Sequence, residues 1–482
     1  MDEGKGAERS PAISEMKHLM SWVEGLSERA GAVLAVAVLM IVAVGTVLAV
    51  REGSRLKSLD ETAFLDLSQN IAFRWQFAHT NRPDIEGYDP DMALGTLRPT
   101  AYRAPGYAYL QASFRRLGAG YVGLRIVNFV LVGLTLCIMY SLLVRRGSRL
   151  AGLLGVALVL GYPVLFYAAG TLYPQTFAAF LLMSSVSLLD RLERKSTLRA
   201  YALAGVANGL LTLTIPVYLL LTPIVIGWLA RSRRSSAKQI AMTTAAIGVV
   251  VGVWTLRNLA VFHAPVVLGT NSGFNLLVGN SPDSRYDQAS AEVRWPKGVR
   301  PELIGKNEVE RDHIMVRAAL NVVRENPGHA AILYLKKLLH WFAFRNEVVS
   351  DRLVPGGAGA GPRWLRDLIM IFTYGLLIGI LLLRFVLVRR YPFSRLEVRL
   401  LALYVGGGMA YAVYFTRIRF RLPFDWLLIA LDALFLAQLL EPELRRPAEA
   451  IRGGMPVSAD SAAPSLYSCA PATVPSTIGM MP

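Results

Sequence analysis

Cysteine is nearly absent: Cys137, inside an apolar stretch, and Cys469, near the C-terminus, are the only two in 482 residues. Neither a disulfide framework nor a cysteine-held metal centre can be built from them. Histidine is also sparse. His18, His79, His263, His313, His329 and His340 show no ligand-like spacing, which argues against a dedicated zinc centre, and His79 reads as a surface residue of a loop. Charge is scarce too, with 18% charged residues where a soluble chain carries about 25%. No zinc-finger, P-loop or dinucleotide fingerprint accompanies the net charge of +17. That charge therefore points to basic residues anchored at anionic membrane lipid, with no nucleic acid as partner. A conventional soluble enzyme and a disordered scaffold are both excluded.

What the chain has in place of charge is hydrocarbon, at 54% hydrophobic residues. Ten membrane spans are expected, at 30–50, 122–143, 150–169, 171–189, 200–215, 217–230, 240–256, 368–388, 398–415 and 424–440. The pair between 200 and 230 becomes one tilted span if Pro216 is only a kink. The first run lacks an Ala-x-Ala cleavage site and is followed directly by Arg51, so it reads as an uncleaved span. Short connections carry Arg145, Arg146 and Arg149; Arg191, Arg194, Lys195 and Arg199; Arg231, Arg233, Arg234 and Lys238; and Arg389, Arg390, Arg395 and Arg399. The positive-inside rule puts these in the cytoplasm together with residues 1–29, and leaves two long external loops, 51–121 and 257–366. Segment 329–345, with Lys336, Lys337 and His340, reads as an interfacial helix, and 441–482, rich in Pro, Ser and Ala, as a disordered cytoplasmic tail. Short links on one face and long ones on the other suit a protein that works on its outer face.

Four stretches could carry chemistry. Asp60 and Glu61 follow the first span; one carboxylate could accept a proton from a hydroxyl while its neighbour orients it or helps to hold a divalent cation. Equally, Ser58 or Asp60 could cap an amphipathic helix with Glu61 in its first turn. Arg98 and Arg103 precede the Pro105-Gly106 turn and Tyr107, at the depth of lipid phosphates or simply as structural anchors. Arg257 and Asn258 end a span, and Gly269, Gly273 and Gly279 then interleave with Asn271, Asn275 and Asn280. That composition suits a loop facing a polyhydroxy or phosphate ligand, or plain turn chemistry. Finally, Arg417, Arg419 and Arg421 sit on the face expected to be external, where a phosphate or pyrophosphate headgroup would match their fork geometry; with the topology inverted they are ordinary anchors.

In this order, and with Leu211-Thr212 ahead of Pro216, these motifs resemble the polytopic glycosyltransferases of the GT-C class. Within that class the likeness is to the dolichyl-phosphate-mannose-protein mannosyltransferase and aminoarabinose transferase superfamily, over roughly residues 30–440. The resemblance implies an all-α, polytopic helical bundle in the inner (plasma) membrane, with its active site facing the periplasm or the outside. It also implies inverting transfer of a hexosyl or pentosyl group from a polyprenyl-phosphate sugar donor to a lipid, glycan or protein acceptor. By the family pattern Asp60 is the base, and Glu61 supports it or shares a Mg or Mn ion with it. Arg257, Arg417, Arg419 and Arg421 would compensate the donor phosphate, while Arg98, Arg103, Tyr107, Asn258, Asn271 and Asn275 line the substrate side. Two departures stand out: Gln175 falls where relatives commonly place an acidic residue, and Phe424-Asp425-Trp426 follows Pro423 where relatives are more proline-rich. An amide supplies no negative charge to a cation, so metal dependence is open.

Two other classes compete. A transporter or flippase of lipid-linked saccharides would line a path with charge inside the membrane, yet Arg125 is the main ionisable residue within an apolar span, and no matching pair of broken spans is visible. A polymer ligase or polymerase would rely on arginines more than on an acidic pair.

Overall fold

The computed structural model describes residues 25, 28–85, 87–193, 197–232, 235–284, 295–344 and 362–452. Arg194, Lys195, Arg233, Arg234, Arg345, most of segment 1–29 and residues 453–482 lie outside the described set. The chain divides into two units, Met1–Glu441 and Pro442–Pro482, and the helical bundle belongs to the first.

Helix α1 is Ala30–Glu52, followed by α2 (Leu59–Arg74), strands β1 (Ala78–Thr80) and β2 (Leu97–Pro99), and α3 (Pro105–Arg116). Then come α4 (Tyr121–Arg146), α5 (Arg149–Leu160), α6 (Pro163–Ala169), α7 (Gln175–Leu192), α8 (Leu198–Thr214), a 3-10 segment Pro216–Leu221, α9 (Thr222–Ala230) and α10 (Ala237–Phe262). After these come α11 (Ser272–Asn280), α12 (Val299–Glu302), α13 (Glu308–Glu325) and α14 (Pro327–His340), with α11 packed on α13. The chain closes with α15 (Arg363–Val386), α16 (Arg395–Ala412) and α17 (Ile418–Arg452). The fold is helical as expected, with one small addition: β1 and β2 pair antiparallel, His79 opposite Arg98.

By length and composition alone, fewer helices qualify as crossings than the ten spans expected. Among the described residues five helices are long and apolar enough to cross a membrane, or six if α5 and α6, bent by 64°, count as one. The bend falls where Pro163 starts α6 and supplies no N–H to the preceding turn. Pro216 is more than a kink: Ile215 is extended (φ −134°, ψ 103°), so the 200–230 region is two helices with a break between them. Segment 329–345 overlaps a 14-residue helix, α14, that starts at Pro327; it is about 21 Å long at 1.5 Å per residue and short for a crossing.

Polar side chains tie the helix ends into two rims. At one end Arg125, buried at the start of α4, donates to the Gly170 carbonyl (3.1 Å) and to those of Gly53 and Arg55. At the other end Arg146 pairs with Asp190 and with Glu193 (2.6 Å), and Glu193 also pairs with Arg399. Arg384 and Glu397, both fully buried, join α15 to α16 at 2.9 Å. Charge that would be costly alone is thus matched where the helices end. Between the rims, contacts rest on close approach as well as apolar bulk: a Cβ at Gly205 would lie 2.5 Å from the Thr243 carbonyl oxygen, and one at Gly209 2.7 Å from Val250. This Gly-x-x-x-Gly face lets α8 and α10 touch along their backbones.

Candidate active site

The site begins at the N-terminus of α2. Ser58 is extended and its Oγ accepts from the Glu61 amide (3.3 Å), so the capping reading of this stretch describes the backbone. Capping sends the next two carboxylates in different directions. Glu61 is fully buried and accepts from the amides of Leu172 (2.8 Å) and Lys57. Burial pushes its carboxyl up from the ordinary value, against the pull of those amides and of Arg125 and Lys57. Asp60, one residue earlier, faces a cavity of about 540 Å³.

That cavity brings distant segments together. Arg103 arrives on the turn before Pro105, which is fixed at the first position of α3. Arg419 lies in the first turn of α17, packed 5.1 Å from both the Tyr173 and the Phe420 rings. Both guanidiniums grip Asp60: Arg103 Nη2 to Oδ1 at 2.7 Å, and Arg419 Nη1 to Oδ2 at 2.7 Å across 359 residues of sequence. Burial alone would raise the Asp60 carboxyl, but the two guanidiniums outweigh it and hold the group well below the usual carboxylate range. Asn271, Asn275, Asp312 and His313 also line the cavity. Asp312 accepts from the Gly273 amide (2.6 Å) and Ser272 Oγ (3.4 Å) at the start of α11, and burial raises its carboxyl against those bonds.

The cavity therefore collects Asp60, Arg103, Arg419, Asn271 and Asn275 from the expected set. The remaining members are placed elsewhere. Arg257 donates to the carbonyls of Thr100 (2.9 Å) and Phe77 (2.7 Å) and to Asn258 Oδ1 (2.9 Å), while Asn258 donates to the Val266 carbonyl, so this pair holds loops in place. Arg421 is fully buried between Asp425 (3.1 Å) and the Trp341 and Ala343 carbonyls. Alternation alone put it beside Arg419, but in a helix residues two apart do not share a face. Arg98 donates to the Gly87 carbonyl, Tyr107 is buried against Asn128 (3.4 Å), and Arg417 lies against Phe415; none of the three lines the cavity. His79 is not a surface residue: it is 2% exposed and meets Asp66 at 3.0 Å. Sequence reasoning missed Asp312 and His313, because an amphipathic helix with alternating charge reads as a solvated surface. Tyr173, beside Gln175, also lines the cavity and could have been found from that neighbour.

A divalent cation fits these residues poorly. Both oxygens of Asp60 are taken by guanidiniums and both of Glu61 by backbone amides, and Gln175, which does line the cavity, is an amide. No cluster of three or more His, Cys, Asp or Glu able to hold a metal occurs among the described residues.

A multi-pass helical membrane protein with a cavity lined by charged and apolar side chains near one end of its bundle is the class that fold and site define. Within that class, residues 102–255 match the family model for dolichyl-phosphate-mannose-protein mannosyltransferase, which bears out the resemblance read from the motifs. The matched segment contains Arg103 and Gln175 and stops short of Asp60 and Arg419. No curated protein matches the chain. Two glycosyltransferases are among the solved structures that align with it. One is the arabinosyltransferase EmbB from Mycobacterium smegmatis, 14% identical over 90% of this chain and 45% of that one, TM-score 0.34. The other is ArnT from Cupriavidus metallidurans bound to undecaprenyl phosphate, 12% identical over 82% of this chain and 77% of that one, TM-score 0.35. The chain thus spans less than half the length of EmbB. With superpositions that loose, the functional reading rests on the family match and on the chemistry of the cavity.

Proposed function

We propose that the protein is an integral membrane glycosyltransferase that moves a hexosyl or pentosyl group from a polyprenyl-phosphate donor to an acceptor hydroxyl, with inversion. The observation that carries this is the Asp60 carboxylate set between Arg103 and Arg419 in a cavity near one end of the bundle. The acceptor oxygen attacks the anomeric carbon and its proton passes to Asp60. The bond from that carbon to the phosphate oxygen breaks, its electron pair leaves with the phosphate, and the guanidiniums meet the charge that develops there. Leu219, Leu220 and Val267 line the same cavity and are 38%, 51% and 47% exposed, an apolar margin suited to a prenyl tail. Asn271, Asn275 and His313 line the same cavity and offer hydroxyl-binding groups. We assign the cavity end to the periplasmic or outer side of the plasma membrane, since Arg145, Arg146, Arg149 and Arg399 gather at the other rim and favour the cytoplasm. Lipid, glycan and protein hydroxyls all remain acceptors within this reading.

The test is Asp60→Asn, assayed for sugar transfer from polyprenyl-phosphate donors in membranes. Loss of a general base lowers the rate by about 10²–10⁴ with membrane insertion intact. Transfer at the wild-type rate would remove Asp60 from the chemistry.

A further inference from the structure

The centre of the cavity holds a conflict. A carboxylate bonded through both oxygens to two guanidiniums is firmly ionised and correspondingly reluctant to take a proton. The glycosyltransferase reading asks this same carboxylate to accept a proton, and the same guanidiniums to receive a phosphate.

Charge counting resolves the conflict. A phosphodiester carries one negative charge, so with the donor bound two guanidiniums face two anions and can serve one each. Arg419 is the one suited to move. Its Nε is buried without a hydrogen-bond partner, so the head is under-satisfied where it stands. Its aromatic neighbours, Tyr173 and Phe420, offer π faces that tolerate a sliding guanidinium. Arg103 can meanwhile keep Asp60 oriented through Oδ1 at 2.7 Å.

We propose that the donor phosphate takes Arg419 from Asp60, so that donor binding itself frees the carboxylate to act as base. Asp60 and the phosphate are competitors for one guanidinium. This rests on the glycosyltransferase reading and adds an order to it: the base becomes competent only after the donor is in place, which guards the site against premature proton uptake.

The experiment is a double-mutant cycle on the full chain in lipid nanodiscs, with a polyprenyl methyl phosphate, a singly charged phosphodiester like the donor, as the probe and Kd as the readout. Arg419→Gln should weaken binding. Asp60→Asn should tighten it about tenfold or more, the change that 1.4 kcal/mol produces, because Arg419 no longer has to leave a carboxylate. In the Arg419→Gln background the same Asp60→Asn change should shift Kd by less than about threefold, since coupling energies appear only when both partners are present. Equal tightening in both backgrounds would mean simple repulsion between two anions, and unchanged or weaker binding in Asp60→Asn would mean that the carboxylate merely orients the arginines; either overturns the competition. Undiminished binding in Arg419→Gln would instead sink the donor-site reading itself. Should Asp60→Asn fail to fold, isotope-edited infrared difference spectra of the wild type decide. A shift of an aspartate carboxylate band on adding the lipid phosphate, lost in Arg419→Gln, upholds the competition, and its absence overturns it.

Discussion

Asp60 and Glu61 are adjacent carboxylates with different work, and Glu61→Gln separates them. Glu61 has no solvent exposure and accepts two backbone amides, Leu172 onto Oε1 at 2.8 Å and Lys57 onto Oε2. These bonds join the start of α2 to the turn that leads into α7, on which Tyr173 and Gln175 stand. Hydrogen bonds to a charged acceptor contribute about 1.5–3 kcal/mol each, and a buried donor left without a partner costs about 1–3 kcal/mol. Glutamine keeps one acceptor and turns the other into an NH2 group facing an N–H. The loss of one charge-assisted bond together with the stranded amide sums to about 2.5–6 kcal/mol. Thermal unfolding of the purified protein in detergent should therefore show a clearly lower Tm for Glu61→Gln, while transfer per folded molecule, measured below that Tm, stays within about threefold of wild type. The reverse pattern, an unchanged Tm with transfer lost as completely as in Asp60→Asn, would refute the assignment of Glu61 to structure.

Three further outcomes are expected. Lys337 is buried and reaches Asn280 Oδ1 at 2.9 Å, and burial pushes its ammonium down to about 7. An unfolded lysine titrates near 10.4, so between about pH 7 and 10 the unfolded state binds more protons and stability rises with pH, by up to about 1.4 kcal/mol per unit. Below about pH 7 both states are protonated and the full burial cost is present. Lys337→Met should abolish that slope and raise Tm at neutral pH, as melting curves over this range will report. Asp432 is fully buried and neither of its oxygens has a hydrogen-bond partner, so Asp432→Leu should stabilise the protein by about 1–3 kcal/mol, read as a higher Tm. A Cβ at Gly279 would fall 1.9 Å from the Tyr414 carbonyl oxygen. Gly279→Ala should accordingly cost about 1–3 kcal/mol and weaken substrate binding, because Tyr414 lines the cavity.

Much of the architecture was legible in the sequence. Apolar runs announced α1, α4, α10, α15 and α17 because the bilayer demands length and hydrocarbon whatever the partners. The acidic pair, the Pro105-Gly106 turn and the late arginines were visible as polar residues out of keeping with their surroundings. The other expected spans fall on α7, α8, α9 and α16, whose apolar residues are real but which do not qualify as crossings by length and composition, and on α5 and α6, which bend at Pro163. Burial in a bundle and burial in lipid leave the same mark on composition.

By itself, then, the sequence determined a helical membrane chain, its capped helix starts and a short set of polar candidates, since each of these follows from local chemistry. Tertiary structure decided which candidates share a space. Successive side chains on a helix point in different directions, so Asp60 could enter the cavity only as Glu61 turned away from it. Likewise Arg419 and Arg421 parted, one to the cavity and one to the core. The pairing of Asp60 with Arg419 belongs to the packing of α2 against the start of α17, and no local pattern could have encoded a contact 359 residues long.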